Sequence, residues 1–174
     1  MIHLNANIML LALTVAEDPK VRIMNDQASD LFRRVAEGVD LVTTSESVIA
    51  EVAYVLTSKA NYSLNVDDAI TRIAALVRLE GFRLADKDIV LAALDLWSNH
   101  PRIGFVDAIT IVHTRHAGSI LATFDRHFDA IPDIVRWQPV ALTDRNGIAN
   151  AIPGGDTERS HAGHKPEDER KSHE

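Results

Sequence analysis

Apolar positions recur along the chain in two spacings, one typical of helices and one typical of short strands. Helical spacing predicts six helices, over residues 7–15, 19–38, 47–58, 65–81, 87–100 and 104–118. Short β-rich runs predict five strands, over residues 2–5, 40–44, 82–85, 119–125 and 134–142. Because strands and helices alternate, the pattern predicts an α/β protein with a central parallel sheet of about four to five strands and helices on both faces.

The predicted helices carry residues that are typical of helix ends. Asp18-Pro19 and Asn65 mark helix starts, where a side-chain oxygen accepts from the free N–H groups of the first turn. Gly38, Gly81 and Gly118 are each predicted to end a helix, because glycine accepts the left-handed conformation that follows the last turn.

The composition changes near residue 144. Residues 1–143 carry the periodic apolar pattern and are predicted to form one domain. Residues 144–174 have few large apolar side chains, several glycines, two prolines and mixed charge. Such a segment cannot bury enough surface to order itself, so a disordered C-terminal tail is predicted.

Composition excludes several classes of protein. The chain has 174 residues, 46% of them hydrophobic, but it lacks an apolar run long enough to span a membrane. It also lacks the basic-then-apolar start of a signal peptide, so a cytoplasmic location is expected. The chain contains no cysteine, which excludes disulfides and thiolate metal sites.

The net charge of −7 argues against a broad basic surface for nucleic acid. Two features weaken that objection. Some of the acidic residues could be gathered at a cation site, and basic residues could cluster locally, for example Arg33, Arg34, Arg126 and Arg136.

Two polar side chains follow predicted strands at their carboxyl ends. Asn5 ends the first strand, and Asp125 ends the strand over residues 119–125. Ligands of open parallel sheets bind outside the carboxyl ends of the strands, so both residues are site candidates. An ordinary turn aspartate is the alternative for Asp125, and Asp129 is a nearby competitor beyond the strand end.

Two further carboxylates lie on predicted helices. Glu51 lies at the edge of the apolar stripe of its helix, where a solvated residue and a functional one both fit. Asp107 lies in a helix that is apolar nearly all the way round, which predicts a buried helix. An ionised carboxylate there costs several kcal/mol unless it is paired or binds a cation. A helix cap or a buried salt bridge remains the alternative for Asp107.

The eight histidines do not predict a metal site. His113 and His116 are spaced as a ligand pair, but both project away from the helix side that carries Asp107. His161, His164 and His173 lie in the predicted tail. None of these histidines is interpreted as catalytic.

Four segments in order resemble the PIN-domain ribonucleases, and especially the VapC-like toxins of bacterial toxin–antitoxin pairs. They are LNANIMLLAL, SVIAEVAYVL, GFVDAITIVHTRHAG and ILATFDRHF, and the resemblance covers roughly residues 2–137. Each motif alone is weak, but together, in this order and on these elements, they form a specific match. The resemblance implies a PIN-like domain over residues 1–143 and an endoribonuclease activity that depends on Mg²⁺.

The resemblance also implies which residues act. It places the acidic positions of the family, which bind metal and act in catalysis, at Asn5, Glu51, Asp107 and Asp125. Thr123 matches a hydroxyl that often lies two residues before the last acid, and Asn7 matches the asparagine of the usual Asp-x-Asn opening. Oxygen ligands without Cys or His select Mg²⁺ or Mn²⁺. Clustered carboxylates are expected to raise one another's pKa values.

Asn5 departs from the family pattern, because an amide offers one carbonyl oxygen but no negative charge. The implied site then carries three charges instead of four, which weakens cation binding. Three origins stay open for this sequence: a naturally degenerate site, a deliberate inactivating substitution, or a working enzyme with one weak ligand.

The resemblance implies three partners: an RNA substrate, a cognate antitoxin and a second copy of the chain in a homodimer. The antitoxin is expected in a groove along the exposed edges of the helices over residues 7–15 and 47–58. Two other interpretations remain. One is a catalytically inactive PIN-like module that binds RNA or a protein, and the other is an α/β protein whose acids are caps and turns.

Overall fold

The computed structural model describes residues 1–139, and residues 1–138 form one compact unit. All six predicted helices are present: α1 (Ala6–Leu13), α2 (Pro19–Ala36), α3 (Glu46–Thr57), α4 (Val66–Val77), α5 (Lys87–Asn99) and α6 (Phe105–His116). None of these helices is both long and apolar enough to cross a membrane. The predicted tail, residues 144–174, lies outside the described residues.

The strands are shorter than predicted. Within residues 1–139, four strands of two residues form two parallel pairs: β1 (Ile2–His3) with β2 (Val42–Thr43), and β3 (Leu121–Ala122) with β4 (Arg136–Trp137). The strand predicted over residues 82–85 is wrong, because a single bridge between Phe82 and Val42 takes its place. The α/β class with parallel pairing is confirmed. One central sheet of about four to five strands with helices on both faces stays a prediction.

The hydrophobic core takes fully buried side chains from every helix. These side chains are Met9, Val35, Ile49, Ile73, Val90 and Ile111. Helix α3 lies at the centre of the packing, because it contacts α1, α4 and α6. The position of α3 therefore fixes the relative positions of the helices that begin at Asn5 and near Asp107.

One predicted helix end is wrong. Helix α4 ends at Val77 with Arg78 as its C-cap, so Gly81 does not end it. Gly81 is buried, and a Cβ atom added there would lie 2.6 Å from the carbonyl oxygen of Val35 and 2.7 Å from that of Asp40. The chain therefore needs glycine at this position for a close approach of backbones, rather than for a helix end.

The other two predicted helix ends are confirmed. Gly38 and Gly118 follow the C-caps of α2 and α6 with φ angles of 72° and 59°. Both angles lie in the left-handed region, which glycine adopts without a steric penalty.

The prediction that α6 is buried on all sides is wrong. Phe105 and Ile111 are buried, but Val106 keeps 60% of its surface exposed. Within residues 1–139, the core therefore leaves part of the apolar surface of α6 exposed. The exposed part lies at the start of the helix, next to Asp107.

Candidate active site

The pairing of β1 with β2 places the starts of two helices at one edge of the sheet. The N–H of Leu4 donates to the carbonyl oxygen of Thr43 at 2.8 Å, and the buried Thr44 hydroxyl donates to the carbonyl oxygen of Leu4 at 2.9 Å. These bonds fix the peptide that precedes Asn5. Helix α1 begins directly after Asn5, and α3 begins after its N-cap Ser45.

Asn5 is the N-cap of α1. Its Oδ1 accepts from the N–H of Ile8 at 3.3 Å, and its side chain is exposed at the carboxyl end of β1. Asparagine and aspartate cap helices about equally well. The capping role therefore accounts for a short polar side chain at this position but does not require an amide.

Asp107 also holds a helix start. The N–H of Gly104 donates to Oδ2 of Asp107 at 3.3 Å, as in a capping box. The other carboxylate oxygen takes no part in this bond, and the residue is half-buried. The helix cap, which is the alternative to a functional role for Asp107, is therefore present.

Asp125 is held in a turn between β3 and a 3₁₀ helix, Arg126–Ala130. The Asp125 N–H donates to Oγ1 of Thr123 at 3.0 Å, so this hydroxyl shapes the turn. Oδ1 of Asp125 accepts from the backbone N–H of His127 at 2.8 Å, and it lies 2.7 Å from Nδ1 of the same residue. Asp125 is exposed, and Asp129 instead pairs with Arg136 at 2.6 Å.

The His127 contacts lower the pKa of the Asp125 carboxyl below its ordinary value of 3.8, first through the backbone N–H and then through the imidazole. The expectation that clustered carboxylates raise one another's pKa is therefore wrong for Asp125. Because its pKa is lower in the folded state, these contacts stabilise the fold above the unfolded pKa. That contribution is lost as the pH falls through the folded pKa.

Replacing His127 with alanine is expected to raise the pKa of Asp125 part of the way towards 3.8, since the backbone donor remains. Carboxyl-carbon NMR titration measures this pKa directly. His116→Ala is the matched control, because His116 is exposed on another element and should leave the Asp125 pKa unchanged. An unchanged pKa in His127→Ala would show that the imidazole contact does not form.

Glu51 lies on α3 with its side chain exposed. A cavity of about 170 Å³ lies between α3 and the start of α6. Ala50 and Tyr54 line one side of it, and Gly104 and Val106 line the other. The parts of the two helices that carry Glu51 and Asp107 are therefore neighbours. The exposure of Glu51 fits the alternative of a solvated helix residue.

The candidate residues fit a hard cation in the type of their donors but not in their spacing. Carboxylate and amide oxygens are ligands that Mg²⁺ accepts. Within residues 1–139, however, no three Asp, Glu, His or Cys side chains come close enough together to hold a metal ion. The packing brings the elements near one another without forming a closed set of ligands.

Two contacts of histidines could not be foreseen from the sequence pattern. His127 holds Asp125, although no histidine is assigned to the site by spacing. His113 lies 3.1 Å from Glu46 and links α6 to α3. For the contact of His127 with Asp125, the sequence offers one local signal, which is that the two residues are two positions apart.

The predicted local cluster of arginines divides into separate sites. Arg33 pairs with Asp30 and Glu37, and Arg34 pairs with Asp30 and Asp40, all on or just after α2. Arg126 instead follows Asp125 and keeps 87% of its side chain exposed. The arginine of this set that directly follows a candidate site residue is therefore Arg126.

A family model described as the PIN domain matches residues 21–134. The match spans more than half of the chain and includes Glu51, Asp107, Thr123 and Asp125 but not Asn5. The chain belongs to the PIN domain family, whose members are typically Mg²⁺-dependent nucleases. No curated protein matches the chain.

Proposed function

We propose that the chain is an endoribonuclease that depends on Mg²⁺ or Mn²⁺, with Asn5, Glu51, Asp107 and Asp125 as its metal-binding and catalytic residues and Thr123 in support. The observation that carries the proposal is the packing of α3 against both α1 and α6 in a PIN-family chain. This packing makes neighbours of the helix that Asn5 caps, the helix of Glu51 and the helix of Asp107.

The chain's own residues would hold the donor atoms in place. The cap bond from Gly104 fixes the Asp107 carboxylate at the start of α6, and the two His127 contacts fix that of Asp125. Thr123 shapes the turn that presents Asp125. A bound divalent cation would supply positive charge against the carboxylates and against the phosphate that is cut.

We further propose that the chain is the toxin of a toxin–antitoxin pair. Exposed apolar side chains surround the candidate acids, namely Tyr54 on α3, Val106 on α6 and Phe124 before Asp125, each at least 60% exposed. Exposed apolar groups of this kind support a protein partner, either the antitoxin or a second copy of the chain. Co-expression with the open reading frame directly upstream tests the antitoxin, and light scattering at tens of micromolar tests the homodimer.

An inactive module that binds RNA or a protein is the second candidate. It is favoured by the neutral Asn5 and by the lack of a three-residue acidic or histidine metal cluster within residues 1–139. The two functions differ in one measurable property. The nuclease requires specific binding of a divalent cation at the candidate residues, whereas the module does not.

Titration with Mn²⁺, followed by melting temperature and by cleavage of total cellular RNA, tests the nuclease. We expect Mn²⁺ to stabilise the chain, since a ligand that binds only the folded state does so. RNA cleavage should stop in EDTA. Asp107→Asn should keep the cap bond from Gly104. It should lower the apparent affinity for Mn²⁺ and the rate of RNA cleavage, each by at least about tenfold.

Asp88→Asn is the matched control for Asp107→Asn. Asp88 is an exposed aspartate in the first turn of α5, so the replacement makes the same change of charge in the same helical setting. Equal responses of the two variants to Mn²⁺ would contradict the nuclease proposal. Binding of RNA that survives with no response to Mn²⁺ would establish the inactive module instead.

A further inference from the structure

A cavity of about 450 Å³ lies between the loop that joins α5 to α6 and the 3₁₀ helix Arg126–Ala130. Pockets for small molecules and cofactors usually have volumes of about 300–1,000 Å³. Residues from His100 to Ile103 line one side, and Arg126 and His127 line the other. The cavity therefore has the size of a ligand site and two walls that come from separate parts of the chain.

The walls of this cavity are basic in a chain that is acidic overall. Two arginines and two histidines line it, His100, Arg102, Arg126 and His127, and none of its lining residues is Asp or Glu. The whole chain carries a net charge of −7. The two arginines carry positive charge without a lining carboxylate, which favours an anion such as a phosphate.

Arg126 remains available to such an anion. Its Nε lies 3.9 Å from Oδ2 of Asp129, at the outer limit of an ion pair, and 87% of its side chain is exposed. Asp129 instead makes its short contacts with Arg136, at 2.6 and 3.2 Å. Arg136 thus occupies the Asp129 carboxylate and leaves the guanidinium of Arg126 free to turn towards the cavity.

The cavity also has an apolar surface. Ile103 and Ile131 line it and are 7% and 4% exposed, and Pro101 and Ala130 add further apolar surface. Flat guanidinium and imidazole groups beside apolar side chains are the surfaces on which unpaired bases of RNA stack. A base and its phosphate together match this combination better than an inorganic anion does.

Each of the two walls of the cavity continues along the chain into the candidate active site. Arg126 and His127 directly follow Asp125, and Ile103 directly precedes Gly104, whose N–H holds Asp107. A nucleotide bound here would lie beside the two segments that lead into Asp107 and Asp125. The position supports a substrate subsite rather than a separate ligand site.

We propose that this cavity binds one unpaired nucleotide of the RNA substrate next to the phosphate that is cut. The base lies on the apolar surface of Ile103, Ala130 and Ile131, and Arg102 and Arg126 contact its phosphates. The inference rests on the proposed function for the identity of the strand as RNA, but the binding step itself requires neither metal nor cleavage.

Fluorescence anisotropy in EDTA measures binding without cleavage, using a short labelled single-stranded RNA and an abasic ribose-phosphate oligomer of the same length. Ala130→Trp fills the cavity without changing charge, and Ala36→Trp is its control at an exposed alanine on α2. Arg102→Ala and Arg126→Ala remove the proposed phosphate contacts. Arg22→Ala is their control at an exposed arginine on the same helix as Ala36. Melting temperatures confirm that each variant folds.

We expect Ala130→Trp to bind the RNA about tenfold more weakly than Ala36→Trp, because the stacked base is lost. The abasic oligomer should bind both tryptophan variants equally. Arg102→Ala and Arg126→Ala should weaken binding of both oligomers. In each variant, the negative slope of log affinity against log salt should also become less steep by about 0.7, the value for one phosphate contact on a single strand.

Equal RNA binding by Ala130→Trp and Ala36→Trp would overturn the base subsite, and arginine variants that match Arg22→Ala would overturn the phosphate contacts. Both results are independent of catalysis. A chain that shows the expected binding pattern but never cuts RNA contradicts the proposed nuclease and keeps the subsite. A chain that cuts RNA but lacks the pattern keeps the nuclease and removes the subsite.

Discussion

Asn5→Asp is expected to give the chain RNA cleavage in Mg²⁺ or Mn²⁺ at a rate at least about tenfold above that of the parent. The reason is electrostatic. A carboxylate at this position adds a fourth negative charge near the helices of Glu51 and Asp107, and the affinity of an oxygen site for a divalent cation rises with ligand charge. Cleavage of total cellular RNA, with and without EDTA, measures the gain.

The structure indicates that this change leaves the fold intact. Aspartate keeps the oxygen that accepts from the N–H of Ile8, so α1 remains capped. A negative charge at the start of a helix is itself favourable by about 0.3–1 kcal/mol. The melting temperature without metal should therefore not fall, and with metal it should rise more than that of the parent.

Asn65→Asp is the matched control for Asn5→Asp. Asn65 is likewise an exposed N-cap, that of α4, so the variant adds the same charge at the same position of a helix outside the candidate site. Adding Asp107→Asn to Asn5→Asp should abolish the gained cleavage. If Asn5→Asp and Asn65→Asp respond alike to metal and to RNA, Asn5 is a helix cap and not the missing acid.

Gly81→Ala is expected to lower the free energy of unfolding by about 3 kcal/mol, which corresponds to a fall of about 10 °C in melting temperature. The added Cβ atom would lie 2.6 and 2.7 Å from two backbone oxygens, and neither can move as a flexible side chain could. Gly81 also accepts the hydrogen bond from the N–H of Val42, so any shift is passed to β2. Urea denaturation measures the loss.

Gly38→Ala separates steric overlap from the ordinary effect of replacing a glycine. Nothing lies within 4 Å of the Cβ position at Gly38, so only its left-handed backbone is penalised, by about 1 kcal/mol. Gly81→Ala should thus be clearly less stable than Gly38→Ala. Equal losses would mean that the segment around Gly81 moves freely and that the close approach is not needed.

The helices could be predicted from the sequence because their signal is local. Apolar spacing and capping residues such as Asn65, whose side chain accepts from the N–H of Asp68, act within one turn of the chain. Strand lengths could not be predicted in this way. Pairing depends on a partner far along the chain, and residues 82–85 supply only one bridge although their local pattern is β-rich.

The sequence proposes the residues of the candidate site but does not indicate their contacts. Asp125 is proposed from its place at the end of a predicted strand, but its bond to the His127 side chain depends on the turn that Thr123 shapes. The cavity between His100 and Arg126 joins segments that are far apart in sequence, so no local pattern indicates it. For Glu51, the helical spacing leaves two interpretations open, a solvated residue and a functional one. Its exposure on the folded helix is the observation that bears on them.

The two-residue strands have a consequence for how other proteins can bind this chain. A partner that joins a sheet as an extra strand needs a row of free backbone N–H and carbonyl groups along an edge. Strands as short as Ile2–His3 and Arg136–Trp137 offer too few such groups for strand addition, and they also give aggregation little to extend. Within residues 1–139, a protein partner is therefore expected to recognise side chains on helix surfaces rather than the edge of a sheet.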